Sequence, residues 1–335
     1  MAQHGGMEKG LVGFMLAHEQ FRLPDLVEIG AAASAAGFRL LAASDHFQPW
    51  QANQGHSGLC WITMAAAASR VSGAWMGTTV TCPTMRYNPA VVAEAFASLS
   101  QLAPGRVFLG AGSGEALNEL AATGEWPDWQ ERWDRLAEAI DIIRALWSGE
   151  TVVHDGKFYS VKAKLYDPPV QPIPLLVAGN GPKSIRLAAK YGDGLITDPK
   201  HWREHKMEWE QAARDTGKDP GTMPVLIEQF VVVGDKEEAK QWAELWRFLP
   251  KGFDNLYDLH DPAEIQKRAE REIPLDEVMA EWTIGSDPAE HAAAIDKLFE
   301  SGATIVNVHA GQNDQRKAIG FYGAEVLPRV KRRAH

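Results

Sequence analysis

Short apolar runs alternate along the chain with segments whose apolar positions recur at helical spacing. Residues 11–15 read as a first strand. A helix follows from Pro24 and Asp25, where proline suits the first helical turn, to a stop at Gly37. A second strand over 38–43 precedes a small-residue helix over 61–70, and a third over 75–81 precedes a helix from Pro89 to Leu102. The fourth strand, 107–110, is followed by helices over 115–122 and 129–146. The alternation then breaks at residues 151–161, a predicted hairpin turning at His154-Asp155-Gly156-Lys157. Strands over 175–178, 195–197 and 225–233, with helices over 182–191, 202–216 and 236–246, supply units five to seven. Residues 248–284 read as an inserted stretch of helices and loops, ahead of an eighth strand at 304–308 and a last helix from about Gln315 to Lys331.

Alternation implies a parallel sheet, and eight β-then-α units favour closure into a (β/α)8 TIM barrel with insertions. The prediction is one domain over residues 1–335, with insertions near 151–161 and 248–284. In such a barrel the chemistry sits at the C-terminal strand ends, and the polar clusters fall there. Ser44-Asp45-His46 follow the second strand, Thr81-Cys82 close the third and Gly112-Ser113-Gly114-Glu115 follow the fourth. Gly179-Asn180-Gly181 follow the fifth, and Asn307 and His309 lie on the eighth.

Each has a plain structural role beside a chemical one. His46 is either a loop histidine bonded to backbone or, oriented by Asp45, a general acid or base. Glu115 opens a helix, where it complements the positive helix end, yet it shares a rim with a histidine. Trp50 is a loop anchor or a flat wall against a ring. Gly179-Asn180-Gly181-Pro182 is a short turn or an N–H cradle for phosphate.

Composition narrows the class. Hydrophobic residues at 45% and charged residues at 23% are ordinary for a globular protein. The net charge of -10 argues against a sequence-independent grip on nucleic acid. Arg329, Lys331, Arg332 and Arg333 read as a cationic helix end. Cys60 and Cys82, with no CxxC spacing, read as reduced thiols of a cytoplasmic protein. No apolar run reaches membrane-spanning length, and residues 1–10 lack the build of a secretion signal. His18-Glu19-Gln20-Phe21 lacks the second histidine of a zinc helix, so no metal is expected. Gly110-Ala111-Gly112-Ser113-Gly114 is not a dinucleotide fingerprint, and neither a P-loop nor a G-x-S-x-G elbow is present.

Three strings go further. Ser44-Asp45-His46-Phe47-Gln48-Pro49-Trp50, Arg86-Tyr87-Asn88-Pro89-Ala90 and Gly114-Glu115-Ala116-Leu117-Asn118-Glu119 resemble the F420-dependent glucose-6-phosphate dehydrogenase family of the luciferase-like oxidoreductases. Trp147-Ser148-Gly149, Gly192-Asp193-Gly194 and Ser286-Asp287-Pro288 extend the match over nearly the whole chain. The resemblance implies a luciferase-like TIM barrel, a homodimer, and coenzyme F420 as cofactor. It implies that Asp45 touches the deazaflavin, that His46 takes the substrate hydroxyl proton, and that the carbinol hydrogen leaves as hydride to C5. Trp50 would pack on the reacting pair and Glu115 would serve the proton on the N1 side. Thr79 and Val80 would stand behind the ring at a bulge carrying a cis peptide. Other cofactor contacts would fall on Cys82, where the family carries threonine, and on Gly112, Ser113, Gly114, Asn118, Asn180 and Gly181. Such a cofactor supplies the redox chemistry, while the protein orients it and manages protons.

The departures concern substrate. Where the family holds a sugar phosphate with basic residues, this chain places Leu256 and Glu281, with Lys200 or His201 near a third position. Substrate contacts are therefore expected from Trp50, Thr197, Lys200, Leu256 and Glu281. Neither a leucine nor a carboxylate binds a phosphate dianion, so the expected substrate is a neutral sugar, polyol or other secondary alcohol. The alternatives are a sugar-6-phosphate dehydrogenase, an F420H2-dependent reductase or an FMN-dependent monooxygenase on the same barrel. A non-catalytic binding protein on this fold is the alternative of a different class.

Overall fold

The computed structural model describes residues 6–251, 256 and 258–331. Strand β1 (Leu11–Leu16) leads to helix α1 (Leu23–Ala35), β2 (Leu40–Ala43) to α2 (Cys60–Ala68) and β3 (Trp75–Thr78) to α3 (Pro89–Leu102). Strand β4 (Val107–Ala111) leads to α4 (Ala116–Thr123) and α5 (Trp129–Trp147). A hairpin of β5 (Val152–Asp155) and β6 (Ser160–Ala163) intervenes. Then come β7 (Leu175–Ala178) with α6 (Pro182–Tyr191), β8 (Gly194–Thr197) with α7 (Pro199–Asp215), and β9 (Val225–Val233) with α8 (Lys236–Ala243). Helices α9 (Pro262–Glu272) and α10 (Leu275–Val278), strand β10 (Thr283–Gly285) and α11 (Pro288–Glu300) precede β11 (Ile305–Ala310) and α12 (Gln315–Phe321).

Eight strands pair in parallel in the order β11-β1-β2-β3-β4-β7-β8-β9, and β9 returns to β11. This is the predicted closed barrel, and all eight strands end on one rim. Strand β10 is an addition. It pairs with the far end of β9, Thr283 opposite Val231, and so extends the rim on that side. Neither β10 nor α11 was expected. Three residues are too few to show a period, but α11 had a legible start. Asp287 precedes Pro288 and accepts the Ala289 N–H at 2.8 Å, as Asp261 does before Pro262 for Ala263 at 2.9 Å.

Other predicted boundaries move. The β5–β6 register pairs Asp155 with Ser160, so His154 and Asp155 are strand residues and the turn lies over 156–159. Strand β3 ends at Thr78, and the chain rejoins β4 only at an isolated bridge between Thr81 and Ala111. The last helix stops at Phe321 and passes into a wider turn over Tyr322–Val326. Arg329 then gives its guanidinium to the Glu325 carbonyl, as a cationic helix end should, while Arg332 and Arg333 lie outside the described residues.

Inside the barrel, Leu11, Leu40, Phe108, Leu176, Leu226 and Ile305 form an apolar plug at the N-terminal end. Two residues on along β1 and β4, alternation brings Gly13 and Gly110 to the interior. A Cβ on Gly110 would lie 1.9 Å from the Thr78 carbonyl oxygen. The small layer thus lets β3 and β4 approach closely, and it leaves room above the plug. A second apolar cluster roofs one side of the rim, joining Trp50, Leu117 and Trp246 to Phe248, Leu256 and Ile265 from the insertion.

Gly110→Ala must push β3 from β4. It should lower unfolding free energy by about 3 kcal/mol, read as a lower urea midpoint with an unchanged slope; a midpoint equal to that of the parent chain would rule out this packing account.

Candidate active site

The loop after β2 is anchored by a buried charge. Asp45 accepts hydrogen bonds from Thr81 Oγ1 at 2.7 Å, Arg86 Nη2 at 3.1 Å and the Tyr87 hydroxyl at 3.1 Å. Its side chain is 1% exposed, so the partners offset a desolvation cost that would otherwise be several kcal/mol. Arg86 Nη2 also donates to the Asp45 carbonyl at 3.0 Å, and the Arg86 N–H to Glu119 Oε2 at 2.8 Å. Asp45 was expected to touch the cofactor and to orient His46. Its carboxylate is held by protein donors, and His46 is held by other residues.

Those residues are Glu19 and Asn118. His46 Nε2 lies 3.2 Å from Glu19 Oε1, and Nδ1 lies 3.0 Å from Asn118 Nδ2. Glu19 is buried and accepts the Ser44 hydroxyl at 2.5 Å, while Ser44 Oγ accepts the His18 N–H at 2.9 Å. Burial acts to raise the Glu19 pKa, but the neighbouring His46 charge and the Ser44 hydroxyl outweigh it, so Glu19 is held below the usual carboxylate range. Sequence reasoning missed Glu19, weighing it only within a failed zinc motif. The available signal was its place, three residues beyond β1 on the same rim.

Glu115 is the residue before α4 and makes no capping bond with its side chain. Its Oε2 instead accepts the second N–H of Asn118 at 2.9 Å. The predicted acid/base pair thus meets through one amide. Trp50 is buried, with its ring 5.9 Å from that of His46 and stacked at 4.5 Å on Phe248. Its packing on Phe248 is that of a loop anchor.

Next to His46 on the rim, the Thr79–Val80 peptide is cis, as the resemblance implied. The bulge presses Val80 toward β4, where a Cβ on Gly112 would come within 2.6 Å of Val80 Cγ2. Gly114 has φ +85, a left-handed conformation that favours glycine, and Cys82 Sγ fills the space where its Cβ would stand. Cys82 is buried and directed at Thr84 Oγ1, 3.1 Å away. Beyond β7, Asn180 Oδ1 accepts the Thr197 hydroxyl at 3.0 Å, and Gly181 faces open space. Val80, Gly112, Ser113, Gly114, Asn180 and Gly181 thus lie on the rim at the ends of β3, β4 and β7, with glycine at three of the six positions.

Two further residues face the barrel interior. Glu228 on β9 accepts from His309 Nδ1 at 2.8 Å, and the His309 ring stacks on Phe230 at 4.0 Å. His309 had been noted only as the end of a strand, and Glu228 not at all.

The substrate end differs from expectation in one respect. Leu256 is buried in the apolar roof. Glu281 was expected to present a bare, repelling charge, but Arg203 Nη2 and Nη1 bind its two oxygens at 2.8 and 3.2 Å. Arg203 stands on α7, just past the rim of β8, and pairing cancels much of the repulsion. Lys200 is exposed at the start of α7, and His201 Nδ1 is taken by Asp198 Oδ2 at 2.5 Å.

The model of the luciferase-like monooxygenases matches residues 7–304. The chain belongs to that family. It is 46% identical over 323 residues to an F420-dependent hydroxymycolic acid dehydrogenase of Mycobacterium tuberculosis, covering 96% of this chain and 88% of the relative. It is 38% identical to an F420-dependent glucose-6-phosphate dehydrogenase of Tsukamurella paurometabola, covering 97% and 99% of the two chains. Among solved structures it superposes with TM-score 0.90 on an F420-dependent secondary alcohol dehydrogenase in complex with an F420–acetone adduct, at 33% identity over 97% of this chain and 100% of that one. The predicted family and barrel are both borne out.

Glu119, beneath this luciferase-like site, is fully buried, and burial raises its pKa to about 7 against the opposing pull of Arg86. A carboxyl raised from 4.5 to about 7 stabilises the fold fully below the unfolded value. That contribution is lost as pH rises through the folded value. Glu119→Gln should therefore flatten the fall in melting temperature between about pH 5 and 8. An equally steep fall in the variant would show that another group is responsible.

Proposed function

We propose that this protein is a coenzyme F420-dependent dehydrogenase that oxidises a secondary alcohol bearing no phosphate. The carrying observation is His46, held between Glu19 and Asn118 beside the cis Thr79–Val80 bulge. A general base must reach the hydroxyl proton while the carbinol carbon faces a hydride acceptor. The histidine and the residues at the ends of β3, β4 and β7 share the rim and meet both needs. F420 would supply the hydride acceptor at C5, leaving the proton to the protein. Val80, Gly112, Ser113, Gly114, Asn180 and Gly181 are the residues that would hold it. The His46–Glu19 pair takes up the hydroxyl proton, Trp50 walls the reacting carbon from water, and Glu115 serves a proton at the ring's edge.

The substrate end supports a phosphate-free alcohol. Leu256 is committed to the apolar roof and Glu281 to Arg203, so neither position offers a cation. A phosphate placed there would have to separate an existing ion pair and lie against leucine. Similarity to a hydroxymycolic acid dehydrogenase and to a secondary alcohol dehydrogenase agrees with this reading.

The homodimer expected from the resemblance has a candidate face on α2 and α3. Ile62 is 54% exposed, Val91 49% and Leu102 55%, around a groove floored by Trp61, Phe96 and Leu99. A twofold axis through this face would bury it on both copies. The protein is expected to work in the cytoplasm; among the described residues no helix is long and apolar enough to cross a membrane.

With F420 as acceptor, kcat/KM for an apolar secondary alcohol should exceed that for glucose-6-phosphate by more than about tenfold. Preference for the sugar phosphate would sink the substrate assignment, and no reduction of F420 by any alcohol would sink the activity. For the dimer, Ile62→Glu combined with Leu102→Glu should give a monomer in sedimentation, whereas a parent chain that is already monomeric would dismiss the interface.

A further inference from the structure

We infer that Asn118 is a positioning residue that fixes which nitrogen of His46 carries the proton. The Asn118 side chain is buried, and its oxygen accepts the backbone N–H of Phe47 at 2.8 Å and that of Gln48 at 3.4 Å. A backbone N–H can only donate, so the amide oxygen must face that loop and the NH2 group must face away. Glu115 Oε2, an acceptor when ionised, takes one N–H at 2.9 Å. The other N–H points at His46 Nδ1, 3.0 Å away. A ring nitrogen that receives a hydrogen bond holds a lone pair, so the proton of neutral His46 sits on Nε2. There it donates to Glu19 Oε1 at 3.2 Å.

Two properties follow from this one amide. Turning it over would set its oxygen against the Glu115 carboxylate and its N–H groups against the backbone donors of residues 47 and 48. The tautomer is therefore locked by groups that lie outside the imidazole. In addition, Nδ1 is closed to substrate, so every proton that His46 exchanges passes through Nε2 and Glu19.

The catalytic consequence rests on the dehydrogenase reading above. When the alcohol O–H bond breaks, its proton goes to Nε2 as the proton already there passes to the Glu19 carboxylate, and the electron pair left on oxygen forms the carbonyl as hydride leaves carbon for the acceptor. In the reverse direction the pair starts with that extra proton on Glu19, so Nε2–H protonates the carbonyl oxygen while the Glu19 proton returns to Nε2. The charged and titratable groups around His46 are Glu19 from the loop after β1, Glu115 through Asn118, Asp45 with its partner Arg86, and His18, which packs beside Glu19; His309 faces Glu19 from β11.

The test needs no cofactor. Protein carrying 15N-labelled histidine rings, with the His46 signals identified by their absence in His46→Gln, should show a pyridine-like Nδ1 and a pyrrole-like Nε2 once the pH is raised until the ring is neutral. The reversed pattern, or an average of the two, would overturn the inference whether or not the protein reduces F420. Asn118→Asp keeps an oxygen for Phe47 and Gln48 but replaces the donor facing Nδ1 by an acceptor, and His46 should switch to the Nδ1–H form. In turnover with F420 that variant should lose at least about tenfold in kcat for alcohol oxidation, with KM for the alcohol changed little. An unchanged tautomer in Asn118→Asp would count against the lock, and if that variant fails to fold, the spectrum of the parent protein still decides. Loss of turnover in the parent together with the predicted spectrum would implicate the functional reading instead.

Discussion

The guanidinium of Arg86 is the constraint on which the site depends. It enters a wall where Asp45 and Glu119 are each almost wholly buried, and a carboxylate there without a cation would cost several kcal/mol. One side chain and its own N–H tie together the loop after β2, the loop after β3 and helix α4. His46 follows Asp45 in the chain, and Asn118 precedes Glu119. The clamp on the charged pair therefore sets the spacing of His46 and Asn118, each one residue away. It also leaves an imbalance, since two carboxylates share one cation. Glu119, the more deeply buried with respect to donors, is the one that keeps its proton toward neutral pH.

Above this clamp, three segments contribute five polar groups to a chain of hydrogen bonds. It runs from Ser44 through Glu19, His46 and Asn118 to Glu115. Every member is either buried or half-buried, so each bond gains from a low local dielectric and each lost partner is costly. Such a chain suits proton management because a proton added at one end is felt at the other. The rim beside it is built on a different principle. There glycines at 112 and 114 give way to Val80 and Cys82, which press against their backbone, and only Gly181 faces open space.

The sequence made the barrel legible because alternation of apolar runs and helical segments is a local property, repeated eight times. It also made the rim legible, since residues at strand ends must gather there whatever their partners. Partnership itself was not legible. Glu19 lies 27 residues before His46, and Arg203 lies 78 before Glu281. No periodicity connects such positions. Asp45 shows the cost of reading neighbours as partners, because its place before His46 suggested that it oriented the ring. In the loop after β2 the Asp45 side chain instead turns to Thr81, Arg86 and Tyr87, and the His46 ring to Glu19 and Asn118. The cis peptide at Val80 came from family likeness, and nothing in Thr79-Val80 itself announces it.

In the function proposed above, reaction and substrate would be specified by separate parts of this molecule. The hydrogen-bonded chain around His46 rests on β1, β2 and β4, within the barrel proper. Selection at the far end would rest on the insertion and α7, through Leu256 and the Arg203–Glu281 pair. An exposed ion pair of this kind contributes little to stability, on the order of 1 kcal/mol or less. Its effect on recognition would be larger, because it uses up a cation that a phosphate would need. A single helix residue pairs the Glu281 carboxylate, and the proposed reaction would then stay fixed while exchanges in that region changed which alcohols are admitted.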